Sequence, residues 1–108
     1  MLKQIARCGA LSLLVFASST LSLAQSSGAD TYKTKCQMCH AADGSGNTPA
    51  GKAMKAVPFN SPDILKEPDA TLTATIENGK GRMPAFAAKL TDAQITDVVP
   101  YIHTLQKK

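Results

Sequence analysis

The chain has 108 residues, twelve Lys and Arg against eight Asp and Glu, three Cys and no Trp. This length allows one small domain, and the shortage of aromatic side chains leaves little material for a large core. The formal charge of +4 falls to about +2 once Lys3 and Arg7 of the N-terminal segment are set aside, which excludes a nucleic-acid footprint.

Residues 1–24 read as a signal peptide. Lys3 and Arg7 make a basic start, residues 10–17 (ALSLLVFA) a short apolar core, and Ser22-Leu23-Ala24 the small residues a signal peptidase recognises. Cleavage after Ala24 leaves residues 25–108 as the mature domain, with Ala17 as a second cut. The apolar core is too short for a comfortable membrane span. Cys8 precedes it, on the wrong side for a lipoprotein cleavage site, and leaves with the signal. The mature chain is therefore expected in the periplasm.

Residues 25–28 are polar and should fray. Residues 30–38 read as a helix with Tyr32 and Cys36 on its buried face, four apart. Gly28 lies four before Tyr32, where a small residue lets another helix approach. The helix leads into Cys36-Gln37-Met38-Cys39-His40, a C-x-x-C-H pentapeptide, the attachment pattern of c-type haem. Two thiols three apart share one helical face and reach the two vinyl groups of one porphyrin, and the next residue turns its imidazole to the iron. A dithiol redox pair is the first alternative, but the flanks lack a strand–helix pattern. Half a zinc site is the second, but no other C-x-x-C follows, and the one other histidine is His103. Both remaining cysteines would be consumed by the haem, whose bulk would supply the missing core.

Residues 41–58 are rich in Gly, Ser, Asn and Pro and read as a wrapping loop without regular structure. Ser61-Pro62 opens a short helical turn, with Ser61 as cap and Pro62 at the first position. A clearer helix runs from Asp69 to Asn78, with Leu72, Thr75 and Ile76 inward and Gly79 as its stop. Residues 80–90 form a second loop. Thr91-Asp92-Ala93-Gln94 is a capping box opening the last helix, whose apolar stripe is Ile95, Val98, Val99, Ile102 and Leu105. Lys107 and Lys108 end it with the charge the helix dipole favours. Pro100 lies inside it and predicts a kink. No strands are expected, so the fold is all-α.

An iron held by His40 has one axial position left, and its occupant decides function. Met38 sits within the attachment turn, where the geometry is wrong. Met54, Met83 and His103 remain, of which Met83 is best placed. Gly79 and Gly81 let its loop turn sharply, Pro84 stiffens the chain after the sulfur, and Phe86 packs nearby. His103 falls beside the apolar stripe, off the inner face. Lys80, Arg82 and Lys89 cluster around the same loop and form a docking rim for an acidic partner, or an ordinary solvated face.

The pentapeptide, the segment Gly79-Lys80-Gly81-Arg82-Met83-Pro84-Ala85-Phe86 and the spacing of Gly28, Tyr32 and Cys36 resemble the class I c-type cytochromes, in particular the small bacterial ones of the c6 and c-551 kind. The likeness spans nearly the whole mature chain. It implies one covalent haem c on Cys36 and Cys39, with His40 and Met83 as axial ligands. It also implies three main helices plus a short helical turn wrapped around the haem. Gly28, Tyr32 and Tyr101 match the crossing of the terminal helices, and Pro49 matches the proline whose carbonyl accepts from the proximal histidine. With no Trp to bond a propionate, Lys52 and Arg82 are the candidates for that role. The implied function is one-electron transfer between redox partner proteins, without enzymatic chemistry. A haem sensor or weak peroxidase with a labile methionine, and a haem subunit of a larger oxidoreductase, are the alternatives.

Overall fold

The computed structural model describes residues 27–107, so the expected signal peptide, Cys8 and Lys108 lie outside the described residues. The chain enters through a helical run made of α1 (Gly28–Thr31), a π-helical segment (Tyr32–Cys36) and α2 (Gln37–His40). Short helices α3 (Pro49–Met54) and α4 (Pro62–Leu65) follow, then α5 (Asp69–Asn78) and α6 (Asp92–Gln106). Among the described residues the sole β-type pairing is one bridge between Lys80 and Met83. The all-α expectation holds.

Ser27 caps the entry run by accepting from the Asp30 amide. The run starts two residues earlier than expected and reaches His40 rather than Met38. Its middle turn is wound wider than an α-helix, and both ends of that turn, Tyr32 and Cys36, are buried. Such widened turns recur at functional sites.

The wrapping segment is more ordered than its composition suggests. Pro49–Met54 is helical, contrary to the loop expectation. Thr48 supplies the reason: its Oγ1 accepts from the Gly51 amide at 2.8 Å, and Pro49 occupies the first helical position. Two short helices, not one, therefore accompany the three main ones. Ser61 stands at the cap position of α4, but its hydroxyl makes no cap bond and is buried without a partner.

Helix α5 has the expected bounds and stops at Gly79, whose φ of 75° is left-handed. The capping box of α6 is complete in both directions, with Gln94 N to Thr91 Oγ1 at 3.1 Å and Thr91 N to Gln94 Oε1 at 2.9 Å. All five stripe residues of α6 are buried. Pro100 does not interrupt the element, which remains one helix through that position. Both Pro100 and Thr96 are exposed, so water can take the carbonyl that the missing proline N–H leaves unpaired.

α1 crosses α6 at Gly28. A Cβ there would overlap the Asp97 carbonyl and sit 3.3 Å from the Val98 Cα, so this crossing needs glycine. Tyr32 and Tyr101 meet just below it with ring centroids 5.1 Å apart. One apolar cluster joins Tyr32 and Cys36 to Leu72, Ile76, Phe86, Leu90 and the α6 stripe. Burial of these side chains is the main force holding α5 and α6 on the entry run.

Candidate haem-binding site

The attachment residues are held by the segment that follows them. α2 stops at His40 because Ala41 takes a left-handed φ of 69°. The Tyr32 hydroxyl donates to the Ala41 carbonyl at 2.5 Å and pins that strained residue. The last carbonyls of α2 find partners downstream: Gly46 N donates to His40 O at 2.8 Å, and Thr48 Oγ1 donates to Met38 O at 2.7 Å. Three short bonds thus lock the pentapeptide against its own loop.

Cys36 is buried and Cys39 half-buried. Burial, with Cys39 beside it, pushes the Cys36 thiol up to about 11. No group of three or more His, Cys, Asp or Glu side chains suited to a metal ion forms among the described residues.

His40 stacks on Phe59, with centroids 4.7 Å apart and planes at 28°. Burial pushes its imidazole below the usual histidine range, so the neutral, ligand-competent form prevails at neutral pH. Its Nδ1 is buried without a hydrogen-bond partner. The structure does not show the bond expected to the carbonyl of Pro49, the first residue of α3.

A cavity of about 700 Å³ opens beside the pentapeptide. Cys36, Cys39 and His40 line one side, and Leu72, Ile76 and Ile102 contribute from α5 and α6. Met83, Pro84 and Phe86 come from the second loop, and Met54, Val57 and Phe59 from the wrapping segment. The wall is mostly apolar, carries two thiols and a neutral imidazole, and has room for a large planar group. These residues fit a covalent haem.

Of the methionines weighed for the last axial position, Met83 is half-buried and packed on the core, while Met54 and Met38 are exposed. All three line the cavity. His103 does not, because its ring is bonded to Asp69 at 2.6 Å and Gln106 at 2.7 Å. Met83 sits in a tight turn: Met83 N donates to Lys80 O at 2.9 Å and Lys80 N to Met83 O at 3.2 Å. A Cβ on Gly79 would meet the Met83 carbonyl at 2.6 Å, so glycine is needed there for both φ and space.

The rim is basic. Lys80, Arg82 and Lys89 are joined by Lys35 and Lys55, which the sequence pattern alone had not grouped with them. Glu67 is the one carboxylate in the lining, also unforeseen. Chain separation hid both facts, since residues 35, 55 and 67 meet the second loop only through the fold. Lys52 is exposed, and Arg82 donates to the Ala53 carbonyl.

Residues 24–102 match the family described as cytochrome c oxidase, cbb3-type, subunit III. The cbb3-type cytochrome c oxidase subunit CcoP of Azospirillum brasilense is 36% identical over 81% of the chain, and the matched region spans 30% of that protein. Cytochrome c6 of Leptolyngbya boryana is 35% identical over 69% of the chain and 85% of its own length. Cytochrome c6 of Thermostichus vulcanus is 35% identical over 86% of the chain and 83% of its own length. Among solved structures, the KustC0563 c-type cytochrome superposes with a TM-score of 0.67 at 28% identity, over 74% of this chain and 98% of that one.

Proposed function

Since the chain belongs to the class I c-type cytochromes and carries covalent haem c, we propose that it is a periplasmic electron carrier with His40 and Met83 as axial ligands. The observation that carries this reading is the cavity wall itself. It brings Cys36, Cys39 and His40 from one helical run together with Met83 from the loop before α6.

Bound haem supplies reversible one-electron exchange at its iron, with no bond made or broken in a substrate. Cys36 and Cys39 hold the group through thioethers. His40 offers a neutral imidazole, and the Phe59 ring stacked on it restricts its rotation. Met83 offers an uncharged thioether from a closed turn. Leu72, Ile76, Phe86 and Ile102 keep water out, and a dry, uncharged ligand set favours the reduced state. Lys35, Lys55, Lys80, Arg82 and Lys89 ring the opening and would steer an acidic partner to it.

A second reading, a haem subunit of a larger oxidoreductase, is favoured by the match to the cbb3-type subunit family. The matched region spans 30% of the CcoP relative and 85% and 83% of the two cytochrome c6 chains. A sensor or weak peroxidase would need a labile Met83 and an acid–base group, and Glu67 is the lining residue that would have to serve.

The deciding test is the optical spectrum of the exported protein, oxidised and reduced, with carbon monoxide added to the reduced form. A low-spin spectrum with the weak far-red iron–sulfur band, unchanged by carbon monoxide, is expected. Met83→Ala should keep its covalent haem, lose that band and bind carbon monoxide. Ready binding by the unaltered protein would instead put the sensor or peroxidase reading first.

A further inference from the structure

The loop carrying Met83 is anchored unevenly. On the α5 side, Phe86 N donates to Ile76 O at 2.9 Å and Ala87 N to Glu77 O at 3.1 Å. On the opposite side of the cavity stands the wrapping segment, with Met54, Val57 and Phe59 in the wall. Among the described residues one hydrogen bond spans that opening from the Met83 loop to α3: Arg82 Nη1 donates to the Ala53 carbonyl at 2.8 Å.

We infer that Arg82 is a positioning residue that latches the Met83 loop to the end of α3 across the cavity mouth. This rests on the reading of Met83 as axial ligand. Ala53 lies in the last turn of α3, where carbonyls have no partner within the helix. A guanidinium is the donor best suited to such a carbonyl, because its charge strengthens the bond and its planar fork loses little freedom in making it. The residue before it, Gly81, has a φ of 57° and nothing within 4 Å of a built Cβ, so no neighbour packs on the loop at that position. The residue after it is Met83. Withdrawing the Met83 sulfur requires the loop to lift, and lifting it breaks the Arg82 bond. The bond therefore slows ligand opening while contributing nothing to the iron directly.

The experiment uses the haem-loaded protein and three variants, Arg82→Met, Arg82→Lys and Lys66→Met. The readouts are the far-red band of the oxidised form and the rate at which it takes up imidazole at mildly alkaline pH, where the probe is uncharged. Lys66, exposed after α4 and in no proposed role, controls for loss of one positive charge. Arg82→Met is expected to keep the band at rest and take up imidazole about five- to tenfold faster, the scale of one lost hydrogen bond. Arg82→Lys should fall between it and the unaltered protein, and Lys66→Met should match the unaltered protein. An unchanged rate in Arg82→Met, or equal acceleration in Lys66→Met, overturns the latch while leaving Met83 as ligand. Absence of the band from the unaltered protein overturns the ligand reading, and the latch with it.

Discussion

The imidazole of His103 faces an acceptor on each side. The Asp69 carboxylate meets Nε2 at 2.6 Å and the Gln106 Oε1 meets Nδ1 at 2.7 Å. The Gln106 amide cannot simply turn over, because its Nε2 donates to the Phe59 carbonyl at 3.1 Å. Two acceptors suit a doubly protonated ring. The bonds to Asp69 and Gln106 hold the His103 pKa above the usual histidine value, against smaller opposing effects of partial burial and of Lys107. A raised folded value means the stabilisation is complete below about pH 6.5 and fades as pH rises through the folded pKa. Both partners are substantially exposed, so the effect is at most about 1 kcal/mol. Thermal unfolding of the haem-loaded protein should show a melting point a few degrees higher at about pH 5.5 than at about pH 8.5. His103→Leu should flatten that difference. An identical pH profile in the variant would show that other groups set it.

At the scale of elements, the crossing of α1 and α6 is decided by one position. Gly28→Ala brings two opposing effects. Alanine is intrinsically better in a helix by up to about 1 kcal/mol. Its methyl would, however, overlap the Asp97 carbonyl, and backbone inside a continuous helix cannot move aside as a side chain can. Overpacking of this kind costs about 1–3 kcal/mol, so destabilisation should win. A fall of several degrees in melting temperature is expected, and a rise would mean the helices cross more loosely. The bounds of α5 and the capping box of α6 were legible because each rests on contiguous residues: Gly79 after Asn78, and Thr91 with Gln94. α3 was not. Six residues containing Gly51 and opened by Pro49 carry no apolar periodicity, and the element is held by the Thr48 cap and by Thr48 Oγ1 bonding back to Met38.

At the scale of the whole molecule, charge is unevenly placed. Five of the ten basic residues beyond the first 24 line the cavity, against one of the eight acids. Fields from such a face add up and accelerate encounter with an acidic surface, and salt screens them over about 8–10 Å. Electron exchange with an acidic redox protein should therefore slow by about tenfold or more between low and physiological ionic strength. A flat salt response would remove the basic face as the docking site. No helix among the described residues is long and apolar enough to cross a membrane.

The sequence by itself determined the family and its covalent haem c. C-x-x-C-H, one methionine set between two glycines and a proline, and an apolar stripe of period 3.6 are local patterns whose meaning needs no knowledge of distant residues. Only the tertiary structure decided which groups face each other. Asp69 with His103, Arg82 with Ala53 and Gln106 with Phe59 are separated by 34, 29 and 47 positions. No local propensity encodes such pairs. They exist because burial of the shared apolar cluster sets α5, α6 and the wrapping segment around one cavity, and polar partners are then fixed by proximity.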